Sequence, residues 1–219
     1  MRSLTLGQVA TAVGGTLFGN PATVVRGIST DTRHITPGDL FCAIVGERTD
    51  PHLLVDQAMA AGASAVLASR PVDAPCVVVE ADDDLDAVII ALGRLAGLVR
   101  DLRHDLTVVG VTGSSGKTTT KDIIGQVLAY HQPTYAPAGS PNNELGLPLT
   151  LLKTPDRATA VIAEMGMRGV GHIAYLCAIA RPTIGVVTNV GLAHVGEVGS
   201  LDAIARAKAE LVKIGRAHV

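Results

Sequence analysis

One glycine-rich turn, GVTGSSGKTTT at residues 110–120, joins a β-branched apolar run to a segment of helical periodicity. Because its residues are small, the backbone amides can turn inward at the positive end of the following helix and bind phosphate oxygens there. In such a turn Lys117 reaches the outer phosphates of a nucleotide, and the Thr118 hydroxyl contacts Mg²⁺. The turn therefore predicts a phosphate-binding loop between a strand and a helix.

The turn departs from the usual phosphate-loop spacing at one position. The usual pattern has glycine five residues before Gly116, whereas this chain has Val111 there and Gly110 one place earlier. An incidental glycine-rich turn is the alternative, but GKTT in this setting seldom arises by chance. The residues expected to bind the phosphates are Gly113, Ser114, Ser115, Gly116, Lys117, Thr118 and Thr119.

Strands and helices alternate regularly after the polar stretch Arg100–Asp105, which we interpret as the linker between two domains, residues 1–103 and 104–213. This alternation predicts an α/β fold with a doubly wound parallel sheet, whose ligands bind at the carboxyl ends of the strands. Functional residues are therefore expected just after residues 111, 163 and 188. The predicted strands are Leu106–Val111, Thr159–Ala163 and Thr183–Thr188, and the predicted helices are Lys117–Tyr130, Val170–Ile179 and Leu201–Val212.

The first hundred residues have a mixed pattern. Helical spacing occurs at Leu54–Ala61 and Asp83–Val99, and short strands are predicted at Ala65–Ala68 and Cys76–Glu80. We expect a small mixed α/β domain. Apolar residues make up 47% of the chain and aromatic residues 2%, so both cores must consist of Val, Ile, Leu and Ala, which suits parallel sheets.

Composition favours a small-molecule ligand. The net charge of -2 and the lack of a Lys/Arg-rich run argue against nucleic acid or an anionic membrane surface as the partner. The first residues have no apolar signal core, and no stretch reaches the roughly 20 apolar residues of a membrane span. The 3 cysteines are far apart, which argues against a disulfide framework or a zinc site. We expect a cytoplasmic protein.

Two further residues follow predicted strands. Glu164 comes directly after the second strand, and His194 lies a few residues beyond the third. A carboxylate suits Mg²⁺, whereas an imidazole is a less common ligand for it. From the residues alone, a solvated loop glutamate and a surface histidine are equally good interpretations.

Lys208 interrupts an apolar stripe on the last predicted helix, where Ile204 and Leu211 share its face. A buried ammonium tends to lose its proton, and the neutral amine can take up CO₂ to give a carbamate, which is an anionic oxygen ligand. The alternative, favoured by the residues alone, is a lysine that extends its charge to water.

Seven segments, in one order across residues 1–213, resemble the Mur ligases, and the phosphate loop among them also resembles that of the related folylpolyglutamate synthetases. Besides the phosphate loop they are STDTR at 29–33, PGDLF at 37–41, NNELGLP at 142–148, EMGMRG at 164–169, TNVGLAH at 188–194 and AKAE at 207–210. Within the family they are most similar to the branch that joins D-alanyl-D-alanine to a UDP-linked muramoyl tripeptide.

The resemblance implies a role for each matching residue. Ser29, Thr30, Asp31 and Arg33 would bind the UDP end of the precursor, and Asn142 and Asn143 would line the channel where precursor and ATP meet. Thr118, Glu164, His194 and a carbamylated Lys208 would hold Mg²⁺. The implied catalytic residues are Lys117, His194 and Lys208.

The implied reaction is ATP-dependent amide synthesis through an acyl phosphate, for peptidoglycan precursors, by an enzyme that is monomeric when complete. The resemblance also implies that the chain is truncated: the central domain would be incomplete, a third domain absent, residues 214–219 a non-native tail, and the fragment inactive. One residue departs from the family pattern, since His172 stands where glutamate is expected. We expect it to be tolerated, because it opens a predicted helix.

Rival functions remain open at this stage. Among ligases, the alternatives are the enzyme that adds the third amino acid of the peptidoglycan stem peptide, and folylpolyglutamate synthetase. The segments NNE at 142–144 and EMG at 164–166 argue against both. In another class, the chain is a nucleotide-binding module without catalytic activity.

Overall fold

The computed structural model describes residues 1–80, 86–191 and 200–214. The chain divides into two compact units, Met1–Val99 and Arg100–Val219. Each unit has its own sheet, as the alternating pattern and the mixed pattern predicted. Residues 215–219 of the predicted tail lie outside the described residues.

The first unit contains a five-stranded sheet with the order β2-β7-β6-β5-β4, in which β2 is antiparallel and the other strands are parallel. Strands β1 and β3 form a separate, short antiparallel pair, and helix α1 follows β1 directly in the sequence. The buried side chains of this unit include Phe41, Val66 and Cys76. The strands are β1 Leu4–Thr5, β2 Thr16–Phe18, β3 Val24–Val25, β4 Gly27–Ser29, β5 Asp39–Cys42, β6 Ala65–Ala68 and β7 Cys76–Val78, and the helices are α1 Leu6–Val13, α2 Val55–Ala60 and α3 Ala87–Asp101.

Local signals fix the bounds of α1. The Thr5 hydroxyl accepts a hydrogen bond from the Gln8 amide, and the Gln8 side chain accepts one from the Thr5 amide. This reciprocal cap stabilises the helix by about 1 kcal/mol. The helix ends at Gly14, whose φ of 71° is left-handed and favours glycine.

The second unit contains a four-stranded parallel sheet with the order β11-β8-β10-β9. The three strands predicted from the sequence are its β8, β10 and β11, and their carboxyl ends lie side by side. The described strands are β8 Thr107–Thr112, β9 Thr134–Tyr135, β10 Ala160–Glu164 and β11 Ile184–Val187, and the helices are α4 Lys117–Ala129, α5 Gly146–Lys153, α6 His172–Ala180 and α7 Leu201–Ile214.

Residues of β8 alternate between two helices, which explains the unusual spacing of the glycine-rich turn. Val109 and Val111 are buried against α4. Gly110 points the other way, and a Cβ atom there would lie 3.0 Å from Leu211 of α7. Gly185 of β11 meets the same leucine, with a corresponding distance of 3.1 Å. Gly110 is therefore a packing residue that lets α7 approach the sheet, and helices cover both faces, as a doubly wound fold requires.

Helix α5 was not predicted, because its first turn contains Gly146 and Pro148, residues typical of loops. Proline is tolerated in the first turn, where its missing amide has no intrahelical partner. Glycine is required at 146, since a Cβ atom there would lie 2.7 Å from the backbone of Pro141. Among the described residues no helix is long and apolar enough to cross a membrane.

Candidate functional site

The glycine-rich turn forms the connection that its sequence predicted, between the end of β8 and the start of α4. Gly116 precedes the helix with a left-handed φ of 77°, and a Cβ atom on Gly113 would lie 1.8 Å from the Thr188 hydroxyl. Both positions therefore require glycine. The N-cap residue of α4 is Gly116, which has no side chain to occupy the first amides of the helix, so these amides can bind an anion.

Lys117 and Asn189 hold the loop in shape. The Lys117 ammonium donates to the Gly113 carbonyl at 2.8 Å, folding back over the loop. The carboxamide oxygen of Asn189 accepts from the amides of Ser114 and Ser115, both at 3.1 Å, and its nitrogen donates to the Ser115 hydroxyl at 2.7 Å. The sequence analysis assigned no role to Asn189, although its place just after the third strand of the pattern was a usable signal.

Glu164 is the buried acid of the site, with 1% of its surface exposed. One carboxylate oxygen accepts from the Thr118 hydroxyl at 2.9 Å, and the other from the Asn142 amide at 2.8 Å. In the described part of the chain no ion pair joins Glu164. A buried carboxylate bonded to neutral donors alone is costly unless a cation balances it, so Thr118 and Glu164 fit a divalent cation.

The other expected ligands differ in what the structure describes. His194 lies outside the described residues. The residues that are described contain no cluster of three or more His, Cys, Asp or Glu suited to a metal. A Mg²⁺ site next to a phosphate loop needs few protein ligands, since phosphate oxygens and waters complete it.

Lys208 is buried, with 1% of its surface exposed, and does not extend to water. Its ammonium lies 3.8 Å from the Met167 sulfur. Burial, and to a smaller extent the charge of Lys117, lowers the pKa of Lys208 to about 8. The neutral amine, which the uptake of CO₂ requires, is therefore more populated near neutral pH than in an ordinary lysine.

A cavity of about 240 Å³ lies between the glycine-rich loop, the two asparagines and Lys208. Its walls include Gly113 and Lys117 of the phosphate loop, Asn142 and Asn143, and Lys208. The outermost of these residues, Gly113 and Lys208, are more than 90 positions apart in the sequence. The parallel sheet places the segments that carry them at one edge. The cavity therefore joins the glycine-rich loop to polar groups that can hold a ligand.

Glu210 fixes the helix that carries Lys208. Its carboxylate accepts from the amides of Gly171 at 2.7 Å and Ala174 at 2.9 Å, so that α7 caps the N-terminus of α6. His172 opens α6 as expected, and its Nδ1 accepts from the Arg168 amide at 3.1 Å. The sequence analysis quoted Glu210 in a motif but gave it no role, because a cap from another helix leaves no local signal.

Replacing Glu210 by alanine should lower the free energy of unfolding by about 1–2 kcal/mol, because two amides at the start of α6 lose a charged acceptor. Glu210→Gln, which keeps one acceptor, should lose less. Urea denaturation monitored by circular dichroism measures both, with exposed Glu47→Ala as the matched control. A Glu210→Ala variant as stable as this control would contradict the assignment.

The residues expected to bind the UDP end of a precursor lie together in the first unit. The Ser29 hydroxyl bonds to Asp31, and the Arg33 guanidinium pairs with the Asp31 carboxylate at 2.6 Å. Hydrogen bonds from Arg33 hold the pKa of Asp31 well below its usual range. Thr30, Asp31 and Arg33 border an open cavity of about 570 Å³.

Comparison with known proteins identifies the family. The model of the Mur ligase middle domain matches residues 111–217, and the model described as Mur ligase family, catalytic domain, matches residues 24–98. A relative from Mycobacterium bovis, named UDP-N-acetylmuramoyl-tripeptide–D-alanyl-D-alanine ligase, is 45% identical over 96% of this chain and 46% of its own length. The chain thus spans about half the length of the curated relatives it matches.

Solved structures agree with the sequence comparison. A crystal structure of MurF from Acinetobacter baumannii has a TM-score of 0.84 and 36% identity, covering 97% of this chain and 47% of that one. MurF ligase from Thermotoga maritima, in complex with ADP, has a TM-score of 0.75 and 35% identity, covering 88% of this chain and 44% of that one. Fold, motifs and relatives coincide: the chain belongs to the Mur ligase family.

Proposed function

We propose that this chain is part of an ATP-dependent ligase that joins D-alanyl-D-alanine to a UDP-N-acetylmuramoyl tripeptide in peptidoglycan synthesis. The observation that carries the proposal is the single cavity shared by Lys117, Asn142, Asn143 and Lys208. A ligase needs a phosphate donor and a carboxylate acceptor in contact, and this cavity provides for both. The similarity to relatives that bear this name supports the choice of substrates.

We assign the nucleotide to the phosphate loop. The first turn of α4, which has glycine at its N-cap, and the Lys117 ammonium supply positive charge for the ATP phosphates. Thr118 and Glu164 would hold Mg²⁺, with His194 and Lys208 as further ligands; when bound, the ion offsets negative charge on the phosphates during transfer. The ADP bound by the Thermotoga maritima relative supports a nucleotide at this site.

We propose that Lys208 acts as a carbamate. Its lowered pKa and its burial beside Met167 increase the share of the neutral amine relative to an ordinary lysine. Reaction of this amine with CO₂ forms an N–C bond and releases one proton, which leaves an anionic oxygen ligand in place of an ammonium. A negative group beside Lys117 replaces the repulsion between two lysines with attraction.

The chemistry follows from the difficulty of making an amide in water. A carboxylate oxygen of the tripeptide attacks the γ-phosphorus of ATP, and ADP leaves, which gives an acyl phosphate. The amine of D-alanyl-D-alanine then attacks the acyl carbon, and phosphate leaves as the amide forms. Lys117 stabilises the charge that develops on the transferred group, while Asn142 and Asn143 orient the precursor. No protein nucleophile is needed.

We assign residues 1–103 to the precursor's UDP end, through Ser29, Thr30, Asp31 and Arg33, and residues 104–213 to ATP. The Arg33 guanidinium pairs with the Asp31 carboxylate, and both residues border the open cavity of the first unit. The cytoplasmic location and the monomeric state of the complete enzyme stay predictions of the sequence.

Acceptor competition tests the proposal. A protein that carries this sequence at its relatives' length should release phosphate with the UDP-linked tripeptide and D-alanyl-D-alanine, and should do so at least about a hundredfold less efficiently with single amino acids. Preference for lysine or diaminopimelate on a UDP-linked dipeptide would instead support the third-residue ligase. Nucleotide binding without phosphate release, with both substrates present, would support a non-catalytic module.

A further inference from the structure

Lys121 is a fully buried lysine with no role in the reaction described above. It lies on α4, one helical turn after Lys117, and 0% of its surface is exposed. Its ammonium donates to the carbonyls of Pro137 at 2.5 Å and Gly139 at 2.7 Å, and lies 3.0 Å from the Asp122 carboxylate. The two carbonyls therefore accept two of the three N–H donors of the lysine, and the adjacent carboxylate balances its charge.

Such a site is costly to build. Burying an ammonium carries a desolvation cost of several kcal/mol unless each N–H finds a partner. Both carbonyls come from one short segment, which continues directly to Asn142. The ammonium therefore fixes the position of this segment relative to α4.

A second contact joins the same two elements. Gly125 lies one turn beyond Lys121, and a Cβ atom there would lie 2.7 Å from the Cβ of Ala136. The segment therefore packs directly on the helix backbone at 136 and is bonded to its lysine at 137 and 139. A segment packed and hydrogen-bonded to α4 at two places keeps its position relative to that helix.

The far end of the segment reaches the cavity. The side-chain amide of Asn142 donates to the Glu164 carboxylate at 2.8 Å. The backbone carbonyl of Asn142 accepts from the backbone amide of Gly166 at 2.7 Å. The Asn143 side chain accepts from the Gly146 amide at 2.8 Å, which fixes the start of α5. Successive contacts thus connect α4, which begins at the phosphate loop, through Lys121 to the segment that carries both asparagines.

We propose that Lys121 is a positioning residue that registers Asn142 and Asn143 against the phosphate loop, so that one helix aligns the γ-phosphate and the acceptor carboxylate. The first turn of α4 binds the nucleotide and its second turn binds the segment that holds the precursor. This inference rests on the proposed function, since the two ligands are those assigned there.

Hydrogen exchange followed by mass spectrometry tests the coupling on the 219-residue chain. Magnesium with the non-hydrolysable ATP analogue AMP-PNP should slow exchange in the phosphate loop, residues 113–120, and also in residues 138–143, the latter by about tenfold. In Lys121→Met the loop should remain protected, while the effect at 138–143 is lost. Exposed Lys153→Met is the matched control and should behave like the parent.

A second variant guards against a simple folding defect. Gly125→Ala leaves Lys121 in place but forces Ala136 away from α4, and it should weaken the same response. Protection of 138–143 that persists in Lys121→Met would overturn the proposal, and so would uniformly faster exchange across the second unit in both variants. Absence of protection in the parent's own phosphate loop would instead count against the nucleotide site, and hence against the proposed function.

Discussion

Replacing Lys117 by methionine should lower the rate of phosphate release by about 10²–10³-fold, because the transferred phosphoryl group loses the cation that stabilises its developing charge. The structure places this ammonium over the loop, bonded to the Gly113 carbonyl at 2.8 Å. When a nucleotide binds, the lysine can exchange that carbonyl for a phosphate oxygen with little movement. The measurement is steady-state phosphate release by a protein carrying this sequence at its relatives' length.

The same substitution should hardly change the fold. Lys117 begins α4 and is partly exposed, so methionine leaves the helix and its packing intact. Calorimetry with AMP-PNP on the 219-residue chain should show weaker binding, and Lys153→Met should bind like the parent. Unchanged phosphate release by Lys117→Met would show that the phosphate loop does not act in the reaction.

Replacing Lys208 by methionine should stabilise the protein and inactivate it together. Methionine fills the same space beside Met167 without a buried charge, so the free energy of unfolding should rise by roughly 1–2 kcal/mol near neutral pH. Ligase activity should fall by about a hundredfold, because the carbamate ligand can no longer form. The pair of effects separates a functional lysine from a structural one, since removal of a structural lysine lowers stability.

The difference in stability between the parent and Lys208→Met should depend on pH. The pKa of Lys208 is about 8 in the folded chain and close to 10.5 when unfolded, so the unfolded state holds more protons between these values. The parent therefore gains stability as pH rises from about 8 to about 10.5, and the advantage of Lys208→Met is largest below this window. Urea denaturation in CO₂-free buffer at several pH values measures it.

Carbamate formation can be observed directly. In ¹³C-labelled bicarbonate, the parent should show a carbamate carbon signal that Lys208→Met lacks and exposed Lys153→Met retains. In CO₂-free buffer at pH 7, a Lys208→Met variant that is less stable than the parent would contradict the cost assigned to the buried ammonium. In labelled bicarbonate, a Lys208→Met variant that keeps the signal would contradict the assignment of the carbamate to Lys208.

Much of the second unit follows from sequence periodicity. The strands β8, β10 and β11 and the helix after the glycine-rich turn lie where the pattern predicted them, within one or two residues at the strand ends. The prediction works because a parallel sheet buries continuous apolar strands and leaves its ligand sites to their carboxyl ends. Helix α5 and strand β9 were missed, since one begins with loop-forming residues and the other is two residues long.

By itself the sequence determined the chemistry that this chain can carry: a phosphate loop with its lysine, an acid at the end of a strand and a lysine in an apolar stripe. Only the tertiary structure decided how these groups are held. Asn189 binds loop amides 75 positions away in sequence, Glu210 caps a helix 39 positions away, and Lys121 anchors a segment 16 positions away. Such bonds depend on which backbone groups the sheet and helices bring within about 3 Å of a side chain, and no local pattern of residues specifies that distance.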